Sequence, residues 1–168
     1  MPKIIENLPS RLIGEACRQL EESGYTAMTI RSVAAACGVG VGTVYNYFPS
    51  KEALLAAYLL SDWRECTAAI DAAAAGSAAA QPVLRCIYDQ LLAFTARHRG
   101  IFRDPAAAVS FAGSFSRYHG MLRSQLAGPL EKFCVSAFAA EFIAEALLTW
   151  TMAGSDFDTI YGMLEKLL

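Results

Sequence analysis

Six residues in one short stretch carry the chemistry most open to a partner: Val41, Gly42, Thr43, Tyr45, Asn46 and Tyr47. They offer hydroxyls, an amide and small groups, with no carboxylate among them. A helix face that enters the DNA major groove needs this mix. Small residues allow close approach, polar side chains reach base edges and phosphates, and no negative charge repels the backbone. Reaction chemistry is harder to assemble. The chain has only two histidines, His98 and His119, and no Gly-rich phosphate loop. No nucleophile and base stand at a spacing that predicts proximity, so the sequence reads as a binding protein and not an enzyme. No cofactor is implied. The five cysteines are scattered, with no CxxC and no Cys/His cluster, so a zinc site is not expected. They read as reduced, buried small hydrophobes, with a redox sensor as the alternative.

The elements that would position this face can be read from spacing. Thr29 can cap a helix by accepting from a backbone N–H two or three residues on. Val33, Ala34 and Cys37 then form a small apolar face at helical period. Gly38 can take the left-handed conformation that ends a helix, and Val39 follows as the apolar plug of the turn. A second short helix over about 40–47 is stopped by Pro49. Two close helices joined by a Gly turn describe a helix-turn-helix. The same spacing also describes a compact helical hairpin inside an ordinary all-α core.

The run MTIRSVAAACGVGVGTVYNYFPSKEALL, preceded by a helix ending in Gly24-Tyr25, resembles the N-terminal domain of the tetracycline-repressor (TetR) family of bacterial transcriptional regulators. The resemblance covers residues 10–55 and implies that the helix near Val41 is a recognition helix. By position it puts Thr29, Arg31, Val41, Gly42, Thr43, Tyr45, Asn46, Tyr47 and Lys51 where DNA contacts occur. Two departures stand out: Gly40 occupies a site where Ser is common, and Val41 and Gly42 replace residues that are often polar or charged.

The first helix, over about 9–23, shows Ile13, Ala16, Cys17 and Leu20 on one face, with Ser10 to cap it and Gly24 to stop it. Ser50 caps a long fourth helix running to about 74. AAAAGSAAAQ over 72–81 reads as a loop or frayed end. Pro82 then opens a helix that Arg97, His98 and Arg99 finish and Gly100 ends. Asp104-Pro105 starts a short helix to about 112, and another covers about 114–127. Gly128-Pro129 breaks the chain. Helices over about 130–153 and 156–168 follow, the second started by Ser155 and Asp158. The expectation is an all-α chain of about nine helices. Its domains are a helix-turn-helix DNA-binding domain over 1–50 and a helical ligand-binding and dimerisation domain over 51–168.

At 55% hydrophobic and 18% charged, the chain has apolar surface to hide, which a partner subunit or a ligand would cover. The net charge of −2 and pI near 5.7 match a dedicated nucleic-acid coat protein poorly. They fit a sequence-specific binder with a small phosphate footprint that needs two subunits. No apolar run reaches the ~20 residues of a membrane span. Met1-Pro2-Lys3 leads into no secretory leader, so a cytoplasmic protein is expected.

Near the C-terminus, Phe138, Phe142, Ile143, Ala146, Leu147 and Trp150 line one broad helical side. Ile160, Tyr161 and Leu164 line another. Two such helices from each of two chains can form a four-helix bundle, the arrangement the resemblance implies, and a homodimer is expected. Ordinary intramolecular packing is the alternative. Between the two ends lie Trp63, Tyr88, Phe94, Phe102, Phe111, Phe115, Tyr118 and His119, candidate walls of a small-molecule site. The resulting reading is a repressor that binds a two-fold symmetric operator and is released by an apolar or aromatic molecule. The runner-up is a helical ligand-binding or interaction protein whose helix-turn-helix no longer grips DNA.

Overall fold

The computed structural model describes residues 7–168, leaving aside the side chains of residues 114–116. Among the described residues there are ten α-helices, three short 3-10 turns and no strands. The helices are α1 (Leu8–Ala27), α2 (Ile30–Ala36), α3 (Val41–Tyr47), α4 (Lys51–Gly76), α5 (Ala80–Arg97), α6 (Arg99–Phe102), α7 (Pro105–Phe111), α8 (Phe115–Ala127), α9 (Ala137–Met152) and α10 (Phe157–Leu164). The chain is therefore all-α.

Compactness divides the chain differently from a single cut after residue 50. One unit holds the described residues up to Asp62 together with His98–Ala112. The other holds Trp63–Arg97 and Gly113–Leu168. In the first, Leu12, Ala16 and Leu20 of α1 meet Val33 and Ala34 of α2, Val44 of α3, and Leu54 and Leu55 of α4. Ile101 and Ala107 belong to the same core, and Phe111 packs against it. Asp62 lies 3.1 Å from Nε2 of the buried His98, so the last residue of the first stretch is tied to the first residue of the second. In the second unit, Trp63 and Ile70 of α4, Leu84, Ile87 and Leu91 of α5, Leu126 of α8, Ile143 and Leu147 of α9, and Ile160 of α10 are buried. Lys132 donates to the carbonyls of Ala74 and Ser77, placing a cation at the negative C-terminal end of α4.

Several element ends differ from the sequence reading, each for a local reason. Gly24 does interrupt α1, with φ 82°, but one further turn follows before Met28. α5 begins two residues before Pro82. Gly100 ends nothing: it lies inside α6, which His98 precedes, because the carbonyl of His98 accepts from the N–H groups of Ile101 and Phe102. Residues 128–133 form a 3-10 turn, and α9 starts only at Ala137, where the Ser136 hydroxyl accepts from Ala139 N–H at 3.1 Å. α10 is capped by Asp156, whose carboxylate accepts from the Thr159 N–H at 2.9 Å and its hydroxyl at 2.7 Å, not by Ser155. Asp104 caps α7 as read, accepting from Ala106 and Ala107 N–H groups.

Candidate nucleic-acid interface

The site is built outward from its caps. Thr29 is extended, and its hydroxyl accepts from Ser32 N–H at 3.0 Å. The Ser32 hydroxyl accepts in return from Thr29 N–H at 3.0 Å. This reciprocal pair satisfies two N–H groups that α2 would otherwise leave open. Ser32 also donates to Gln19 Oε1 at 2.5 Å, and Gln19 donates to Glu15 at 2.6 Å, so the start of α2 is tied to α1. At its other end, Gly38 has φ 69°, and the N–H groups of Gly38 and Val39 bond back to the carbonyls of Ala35 and Ala34. These two bonds close the helix end and turn the chain into α3. Only a residue without Cβ takes that φ without strain. Val39 is half-buried against the core.

α3 is seven residues long, and Gly40 gives it no side-chain cap. Val44 and Phe48 are buried, which fixes which side faces outward. Gly42 and Asn46 are exposed, and Thr43 and Val41 are half-buried. Tyr45 and Tyr47 are each 50% exposed, unusual for aromatic side chains. Arg31 is exposed on α2, and Arg11 on α1 donates to the Cys37 carbonyl at 3.3 Å, beside the turn.

Two further cations are committed within the unit. Lys51 is half-buried, lies 3.8 Å above the Tyr25 ring and donates to the Tyr25 carbonyl. Burial holds its ammonium below the usual lysine value, against the opposing pull of Glu52 and Asp104. As placed, Lys51 braces the start of α4 rather than extending into solvent like Arg31. Arg18 bridges Glu15 and Glu22 at 2.6 and 2.5 Å. The Arg18 and Gln19 hydrogen bonds bring the Glu15 carboxyl down to about 2. The positive charge left facing outward near α3 is therefore small.

The eight aromatic and histidine candidates for a ligand site do not share one unit. Phe102 and Phe111 belong to the first unit, Phe111 against the helix-turn-helix core and Phe102 edge-on to His98. Trp63, Tyr88 and Phe94 are buried in the second. There the Trp63 N–H donates to Gln125 at 2.7 Å and the Tyr88 hydroxyl to the Ser155 carbonyl at 3.1 Å. Tyr118 and His119 are half-buried on α8, and the Phe115 side chain lies outside the described residues. Helical periodicity marks apolar faces without saying which unit covers them. His119 stands 3.5 Å from Glu145, which also accepts from the Thr149 hydroxyl and lies 3.8 Å from Arg123. Nothing in the sequence marked Glu145 as the partner of these groups. Ser32 and Gln19 were also missed, because the usual capping-box pattern has Glu or Gln, not Ser, at the third helical position.

The residues named for a dimer interface fall into two groups. Ile143, Leu147, Ile160 and Leu164 are buried inside their own unit and serve its core. Phe138, Phe142 and Trp150 are 77%, 53% and 55% exposed, with Ala146 and Tyr161 half-buried. The thiols of Cys17, Cys37, Cys86 and Cys134 are free and pushed up chiefly by burial, which disfavours the reactive thiolate. No helix among the described residues is long and apolar enough to cross a membrane.

Residues 12–58 match the family model described as bacterial regulatory proteins, tetR family. The HTH-type transcriptional regulator UidR of Escherichia coli K12 is 32% identical over 53 residues, a stretch that spans 32% of this chain and 27% of that relative. Among solved structures, the TetR family repressor AlkX from Dietzia superposes with a TM-score of 0.67 at 18% identity, covering 92% of each chain. A transcriptional regulator from Cytophaga hutchinsonii gives 0.64 at 19% identity, covering 92% of this chain and 89% of that one. These superpositions establish a shared fold over nearly the whole chain.

Proposed function

By its N-terminal DNA-binding domain the chain belongs to the TetR family, and on that premise we propose that it is a repressor that binds a two-fold symmetric operator as a homodimer. The observation that carries this is the outward face of α3: Gly42, Thr43 and Asn46 between two half-exposed tyrosines, with no carboxylate. Thr43 and Asn46 reach base edges, while Thr29, Arg31, Tyr45 and Tyr47 position phosphates, with Val41 and Gly42 allowing approach. Lys51 joins them only by leaving Tyr25. Two copies are needed because one recognition helix with few cations has a small footprint, and linked footprints reinforce each other. The exposed stripe of Phe138, Phe142 and Trp150 on α9 is the surface we assign to the dimer.

Release is assigned to a small apolar or aromatic molecule taken up by the second unit among Trp63, Tyr88 and Phe94. The polar handles of Trp63 and Tyr88 are used within that unit; Tyr118, and His119 beside Glu145, are the polar groups we assign to it. Such a molecule acts only if it and the operator prefer different conformations. The test is selection of bound fragments from a genomic DNA pool by the purified protein at near-physiological salt, followed by titration of candidate molecules against the recovered site. A short two-fold symmetric sequence, released at saturation, is expected. Affinity unchanged at saturation with every candidate that binds would refute the release mechanism.

The inward placement of Lys51 and the double pairing of Arg18 favour one other reading, a ligand-binding protein whose helix-turn-helix does not grip DNA. Binding to a specific sequence that weakens as salt rises would eliminate it.

A further inference from the structure

At 3.6 residues per turn, the buried side of α3 at Val44 and Phe48 puts Gly42 and Asn46 directly opposite, one turn apart, with Thr43 beside them. Tyr45 and Tyr47 then fall on opposite flanks of that central patch. The patch is shallow at one end. A Cβ built on Gly42 would meet nothing within 4 Å, so the fold itself does not require glycine there, although glycine is a poor helix former. α3 contains no Arg, Lys, Asp or Glu. The polar groups at the patch are the Asn46 amide and the Thr43 hydroxyl, and its apolar group is the Thr43 methyl, while Val41 packs against the core.

Base edges respond differently to these groups. Guanine is read best by two-point contact from Arg or Lys, which α3 lacks. Adenine presents an acceptor and a donor that an Asn amide meets with two hydrogen bonds, and the thymine methyl accepts apolar contact. Resting on the DNA-binding reading above, we propose that α3 specifies adenine·thymine pairs. Asn46 pairs with one adenine in each half-site, and the methyl of Thr43 lies against a neighbouring thymine. Gly42 supplies the clearance that lets the helix sit close enough for the short Asn46 side chain to reach. The flanking Tyr45 and Tyr47 hold the two phosphate walls and carry no base preference.

Selection from a random duplex pool by the full-length protein tests this, run in parallel with Asn46→Ala and Asn46→Gln. The wild type is expected to enrich symmetric sites with an invariant adenine·thymine pair in each half. Asn46→Ala should lose discrimination at that pair by roughly 5- to 150-fold per half-site while other positions keep theirs. Asn46→Gln, which keeps the amide, should retain the adenine preference. Because residue 46 is exposed, both variants should melt like the wild type. Half-sites whose invariant pairs are all guanine·cytosine, or undiminished discrimination in Asn46→Ala, would overturn the assignment and leave the DNA-binding reading standing. No enrichment by the wild type would overturn both.

Discussion

Replacing Thr29 with aspartate should separate the two tasks assigned to that position by moving stability and DNA affinity in opposite directions. Thr29 caps α2 through its hydroxyl, which accepts from Ser32 N–H at 3.0 Å. Aspartate is at least as good a cap as threonine, so the hydrogen bond is kept. Its charge adds about 0.3–1 kcal/mol at the positive end of the helix dipole. For a chain of this size that raises the melting temperature by about 1–4 °C. On the DNA side the sign reverses. A carboxylate about 4 Å from a phosphate in water costs about 1 kcal/mol per protomer. A dimer carries two, so affinity should fall about 30-fold. The loss should shrink with added salt, since the Debye length is about 10 Å at 0.1 M. Circular dichroism melts and operator titrations at several salt concentrations supply both readouts. Thr29→Ala is the control, expected to cost about 1 kcal/mol of stability through the lost cap. An aspartate variant that binds the operator as tightly as wild type would refute the placement of the α2 N-terminus against a phosphate. One that melts lower would refute the capping argument.

Tyr45→Ala should weaken operator binding about 30-fold, from one lost hydrogen bond of about 1 kcal/mol in each of two protomers, with the dimer intact by sedimentation. Phe142→Arg should turn the dimer into monomer without lowering the unfolding midpoint, because that side chain is 53% exposed; a persisting dimer would move the interface elsewhere. Leu147→Ala, fully buried five residues further along α9, should instead cost about 2–5 kcal/mol in denaturant unfolding, and a cost well under 1 kcal/mol would contradict its core position. Glu15 titrates at about 2 in the folded chain against 4.5 as the ordinary value. Its stabilising effect is therefore complete above pH 4.5 and lost as pH falls from 4.5 to 2, a loss that Glu15→Gln should remove from the acid-unfolding profile.

The helix-turn-helix was legible because its signals are local. Thr29, Gly38 and Pro49 each constrain their own backbone, and Val33, Ala34 and Cys37 mark the buried face of α2 by spacing alone. The bracing role of Lys51 was not legible because its partner, Tyr25, is remote in sequence and contributes a carbonyl that no motif encodes. The late helix starts were blurred for a related reason. Gly128-Pro129 forbids a smooth continuation, but whether a 3-10 turn or a helix follows is decided by packing of Leu130. In α9, Ile143 and Phe142 are adjacent in sequence and equally apolar. Only the covering helices distinguish the buried residue from the exposed one.

The pairing of Asp62 with His98 also bears on how the chain comes off the ribosome. The core of the helix-turn-helix unit is complete only when Ile101 and Ala107 arrive, after the whole of residues 63–97 has been synthesised. Closing an excursion of that length costs roughly 3 kcal/mol of chain entropy before any contact is made. Co-translational folding of the DNA-binding unit is therefore postponed, and an incomplete chain ending within the excursion would expose an unfinished core. A proteolytic fragment covering only residues 1–50 should behave as a partly ordered peptide. The helix-turn-helix unit becomes native only after most of the chain has been made.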